Sequence, residues 1–109
     1  MKWHLNLFLA LCLAMLSALA TAAPSYAANG ECGPGVVRNG NANANVINGT
    51  AQNDVIRGFG GNDILRGGPC DDKLYGGPGN DTINGGPGYD ICVGGPGVDV
   101  FVNCEVMVQ

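Results

Sequence analysis

Six aspartates recur at every ninth position in the second half of this chain: Asp54, Asp63, Asp72, Asp81, Asp90 and Asp99. Each closes a glycine-rich turn, and a proline in such a turn removes an amide donor, leaving a surplus of carbonyl oxygen. Repeated carboxylate and carbonyl oxygens suit a hard cation. Calcium takes roughly six to eight oxygens at ~2.3–2.6 Å in flexible geometry, whereas magnesium demands a tighter octahedron. Zinc prefers nitrogen or sulfur, and no histidine follows His4. Nor does any serine follow Ser25. Serine–histidine and cysteine–histidine catalysis therefore have no material to work with. Carboxylate pairs serve glycosidases, but these sit at repeat spacing on turns, with no cleft implied, and the chain is expected not to be an enzyme.

The elements that position these aspartates are one nine-residue phrase said six times. GGPGNDTIN (76–84), GGPGYDICV (85–93) and GGPGVDVFV (94–102) are the cleanest copies. GTAQNDVIR (49–57), GFGGNDILR (58–66) and GGPCDDKLY (67–75) are looser. After each aspartate, a short strand places its middle residue inward and its neighbours outward. The inward column is Ile47, Ile56, Leu65, Leu74, Ile83, Cys92 and Phe101. Two phrases make one coil, and coils stack at the ~4.8 Å strand spacing. The expected fold is all-β: a flattened right-handed parallel β-solenoid. Asp54, Asp72 and Asp90 then line one edge, and Asp63, Asp81 and Asp99 the other. Stacked carboxylates ~5 Å apart repel by about 1–3 kcal/mol per neighbour at an effective ε of 20–80. With so thin a core, an ion between coils is what turns that term favourable.

Composition agrees. Nineteen glycines in 109 residues, all between Gly30 and Gly97, exclude a helix bundle. The net charge of −4 disfavours nucleic acid, which needs a basic surface. Residues 1–27 have the features of a helical secretory signal peptide: Lys2 and His4, an apolar run through Ala20, and small residues before Ala28. A cut near Ala20 or Ala22 is the alternative, and an uncleaved anchor the other; the run is shorter than the ~20 residues a spanning helix needs. Residues 28–45 form a lead-in and N-terminal cap, in which Val36-Val37 suits a short strand. The segment GNANANV (40–46) keeps the repeat spacing with Asn45 in the aspartate place. Residues 46–109 hold the repeats and a C-terminal cap. Four cysteines follow the leader, an even number that suits two disulfides in a small secreted chain. Cys92–Cys104 as a C-terminal lock and Cys32–Cys70 as a lead-in tie is the favoured connectivity of three, with the chain folding back over the open end at Cys92. Free buried thiols are the other option.

The six copies match the pattern G-G-x-G-x-D-x-U-x and resemble the repeats-in-toxin (RTX), or haemolysin-type, calcium-binding repeat over residues 46–102. The resemblance implies a parallel β-roll that folds on binding Ca2+ through the aspartate carboxylates and turn carbonyls. The implied backbone ligands are at Gly67, Gly76, Gly77, Gly79, Gly85, Gly86, Gly88, Gly94, Gly95 and Gly97. Asp81 and Asp99 share the best site, because both turns keep three glycines. Asp72/Asp90 follows, with Cys70 in place of a glycine; Asp63/Asp81 has Phe59 in such a place; Asp54/Asp72 is poorest, since GTAQND keeps one glycine. Here the repeats are almost the whole mature chain, so toxin and type I export roles do not carry over.

The functional expectation is a secreted, extracellular calcium-binding protein, free of the membrane once the leader is removed. The rival is a structural or adhesive surface module in which calcium only supports the fold. An oddly apolar seventh place (Val46, Val55, Ile64, Ile91, Val100) serves either β-propensity or an outward stripe for a protein partner. A disordered Gly-Pro linker is disfavoured by the regular apolar eighth place, and an ice-binding array by the scarcity of threonine. Aspartates acting only as turn formers, with no ion, are the plainest alternative.

Overall fold

The computed structural model describes residues 30–109. The signal peptide read at residues 1–27 lies outside the described residues. The rest is a parallel β-solenoid of about four turns, with no helix among the described residues. Nine strands run β1 (Pro34–Asn41), β2 (Val46–Asn48), β3 (Asn53–Phe59), β4 (Ile64–Arg66), β5 (Lys73–Tyr75), β6 (Thr82–Asn84), β7 (Ile91–Val93), β8 (Val100–Val102) and β9 (Val106–Val108). Odd strands form one sheet in the order β1-β3-β5-β7-β9, and even strands the other, β2-β4-β6-β8. Every pairing is parallel.

Register follows the nonapeptide. Ile56 aligns with Leu74 and Cys92 in one sheet, and Ile47 with Leu65, Ile83 and Phe101 in the other. Ile56, Leu65, Leu74, Ile83 and Cys92 are fully buried, with Ile47 and Phe101 packed partly buried at the ends. A single file of apolar side chains between two sheets is a small core. The turns add their own ladder: Gly68 N–H donates to the Gly85 carbonyl at 3.0 Å and Gly77 N–H to the Gly94 carbonyl at 2.8 Å.

Both ends depart from expectation. The first strand is eight residues long rather than a Val-Val pair, and a register shift between Pro34 and Val37 puts Arg38 opposite Ile56. A charged side chain thus takes the inward place of the first coil, where the end is open and Arg38 is exposed. At the other end the chain does not fold back over Cys92. Instead Val106–Val108 adds a parallel strand beside β7, with Val106 opposite Ile91. The connection loses three residues relative to a full coil (91 to 106 spans 15, against 18 between strands such as Ile64 and Thr82). Disulfides join Cys32 to Cys70 and Cys92 to Cys104, one near each end.

Candidate metal centre

The aspartates lie in two columns, but they face the interior rather than lining exposed edges. Asp54, Asp63, Asp72, Asp81 and Asp90 are at most 1% exposed; only Asp99, in the last full repeat, is half-buried. Strand alternation explains this. The aspartate precedes the inward apolar residue by two, so both share a face. β3 shows it directly, with Asp54 and Ile56 buried and Val55 partly exposed between them.

Each column is stitched by backbone amides. The Asp54 N–H donates to Asp72 Oδ1 at 2.7 Å and the Asp72 N–H to Asp90 Oδ1 at 2.8 Å. In the other column Asp63 donates to Asp81 at 2.7 Å and Asp81 to Asp99 at 2.8 Å. Asn45 heads that column: its N–H donates to Asp63 Oδ1 at 2.8 Å, so it occupies the aspartate place as the spacing predicts. One oxygen of every carboxylate is therefore used by the coil before it.

The second oxygen divides the series. Oδ2 of Asp63, Asp72, Asp81 and Asp90 is buried with no hydrogen-bond partner. Asp54 Oδ2 is instead taken by the amide and hydroxyl of Thr50. Asp99 Oδ2 accepts from the Gln109 side-chain amide at 3.0 Å. The looser first copy thus carries a threonine that satisfies its own carboxylate, a role its loss of glycines did not announce.

The first glycine of each repeat opens the space beside these oxygens. A Cβ on Gly76 would lie 2.2 Å from Asp81 Oδ2 and 2.8 Å from the Gly94 carbonyl oxygen. On Gly67 it would meet Asp72 Oδ2 at 2.3 Å and the Gly85 carbonyl at 2.6 Å. Orphaned carboxylate and next-coil carbonyl therefore converge over a glycine, repeat after repeat. For Gly77, Gly79, Gly86, Gly88, Gly95 and Gly97 the nearest atom is a carbonyl oxygen of the preceding coil instead. These six all have positive φ, and where the repeat departs from glycine, Phe59 and Cys70 are driven to φ 72° and 88°. Asn53, Asn62 and Asn80, at the fifth place, do not take positive φ. They and Asp71 form an outer ladder, as where Asn62 Oδ1 accepts from the Asn80 N–H at 2.9 Å.

Electrostatics follow burial. Asp72 is pushed up to about 7, first by desolvation and then by the charges of Asp90, Asp54 and Asp71, against the lowering bond from the Asp54 amide. Asp81 and Asp90 are also raised, burial again leading. An unpaired buried carboxylate oxygen costs more than the ~1–3 kcal/mol of a neutral orphan. No group of three or more His, Cys, Asp or Glu side chains gathers among the described residues. Any ion here would draw on pairs of carboxylates and on main-chain carbonyls, the all-oxygen set that calcium accepts.

The RTX calcium-binding nonapeptide repeat, in its four-copy family model, matches residues 39–69 and again 71–101. The chain belongs to that family, and its cofactor is Ca2+. The repeats of this family are structural calcium-binding elements of a β-roll. No curated protein and no solved structure shows significant similarity to the chain.

Proposed function

We propose that this is a secreted calcium-binding protein whose β-roll is completed by ions held between coils, and that calcium drives its folding or stiffening. The observation that carries the reading is the set of four buried, partnerless Oδ2 atoms on Asp63, Asp72, Asp81 and Asp90. The ligands are the aspartate columns with carbonyls of the first glycines, Gly76, Gly85 and Gly94. The two disulfides and the leader-like residues 1–27 support an oxidising, extracellular location. Right-handed winding is the handedness nearly all parallel crossovers take. Without His or Ser beyond the leader, binding rather than catalysis is the activity.

Circular dichroism of the oxidised protein tests this directly. A weak β signal in chelator should grow cooperatively with millimolar calcium. An identical rigid β spectrum in both, with no bound calcium by mass, rejects the reading.

One observation favours the adhesive alternative. Register gathers Val46, Ile64, Thr82 and Val100 into one outward column, with Val46 63% and Val100 54% exposed. Calcium-dependent retention on a cell wall or glycan would make that face the working surface, with calcium only its support.

A further inference from the structure

We propose that the last turn of the solenoid holds a further calcium site, beyond those formed between two repeat aspartates, built by Asp90, Glu105 and the carbonyl of Asn103. It rests on the calcium reading above and extends it past the final repeat.

Glu105 stands in the aspartate place of a coil that no longer has the repeat sequence. Two backbone facts put it there. Val106 aligns with Ile91, so residue 105 aligns with Asp90. The Val106 N–H donates to the Asp90 carbonyl at 3.1 Å, as the Ile91 N–H donates to the Asp72 carbonyl at 2.9 Å one coil earlier. The side chain completes the match. Glu105 Oε2 accepts from the Asp90 N–H at 2.7 Å, the bond that an aspartate Oδ1 makes in every coil before it.

The carbonyl is matched as well. Over Gly67 the convergent oxygens are Asp72 Oδ2 and the Gly85 carbonyl; over Gly85 they are Asp90 Oδ2 and the Asn103 carbonyl, 2.5 and 2.4 Å from where a Cβ would sit. Asn103 replaces the first glycine and has φ 49°, a left-handed conformation that asparagine tolerates. Cys104 lies between the two residues and is bonded to Cys92, which fixes this shortened turn against the coil below. The second, independent pointer to a ligand is Asp90 itself. It is fully buried, and its Oδ2 faces this space with no partner. Among the four orphaned oxygens, this one lacks a repeat aspartate above it, and Glu105 supplies the missing carboxylate. Glutamate is one methylene longer, which suits a connection three residues shorter than a full coil.

Native mass spectrometry of the oxidised protein under a calcium titration, beside Glu105→Gln, decides the matter. Glutamine keeps an amide oxygen for the Asp90 N–H but removes the charge, and the far-UV β signal in saturating calcium reports whether the coils still stack. The expected result is one calcium fewer in E105Q with that β signal retained. Equal stoichiometry and equal affinities in the two proteins would overturn the terminal site while leaving the repeat sites standing. Loss of every ion together with the β signal would make Glu105 a folding residue and also overturn the assignment. A wild-type protein that binds no calcium at all would reject the broader reading and take this one with it.

Discussion

Asp81 and Asn45 hold equivalent places in one column, yet only Asp81 carries an orphaned oxygen. Asparagine at that place is already compatible with the fold. Asp81→Asn should therefore keep the Asp63 N–H bond, remove a buried charge, and raise the chelator-state melting temperature. The same change should weaken calcium binding roughly tenfold or more, since a buried charged ligand is worth upwards of ~1.4 kcal/mol. Calorimetric titration beside thermal melts in chelator checks both signs. Protons compete for the same oxygens. Asp72, raised from 3.8 to about 7, binds a proton in the metal-free folded state across a window in which the unfolded chain has lost it. Stability without metal thus falls through this group as pH rises from ~4 to ~7. Calcium affinity must climb through the same window. Urea midpoints in chelator should be lower at pH 7.5 than at pH 5, and the order should invert in saturating calcium.

At the scale of the element, the repeated turn shows which parts of the architecture were legible. The period of nine located the strands β2 to β8, the inward apolar file and the two carboxylate columns, because every copy obeys the same spacing. The burial of the aspartates was encoded too, in the two-residue step from Asp54 to Ile56, but a turn assignment hides a strand alternation. The terminal elements were not legible. β9 follows a turn shortened by three residues, and Glu105 is out of phase with every aspartate by that amount. Thr50 stands where later copies carry Phe59 or a glycine, and Gln109 follows the last copy; that they satisfy Asp54 and Asp99 is found only by proximity. Within the turns, Phe59 is 50% exposed yet held at φ 72°. A non-glycine residue there bears about 1 kcal/mol of backbone strain, so Phe59→Gly should raise the chemical-denaturation midpoint modestly despite the larger entropy of the unfolded chain. Gly77→Ala, one coil on, should do the reverse, because its Cβ would fall 2.0 Å from the Phe59 carbonyl oxygen. Paired urea curves give both shifts.

Taken whole, the molecule is a one-dimensional stack in which each coil touches only the next, so its stability is a sum of neighbour terms and its ends fray first. The disulfides sit where that fraying would begin. Cys32–Cys70 spans 38 residues and ties the lead-in to the third copy; Cys92–Cys104 spans 12 and closes the last coil. Loop-closure entropy assigns them about 4 and about 3 kcal/mol respectively. Those terms act on different parts of the stack. Replacing Cys92 and Cys104 by alanine frees the turn that carries Asn103 and Glu105, while the coils from β3 to β6 keep their carboxylate ladders. Hydrogen exchange in saturating calcium should therefore show β8 and β9 losing protection and β3 to β6 retaining it. Replacing Cys32 and Cys70 should invert the pattern, with β1 and the turn around Thr50 exchanging first. Uniform loss of protection in either variant would mean that the solenoid melts as a single cooperative block, with calcium coupling all of its coils.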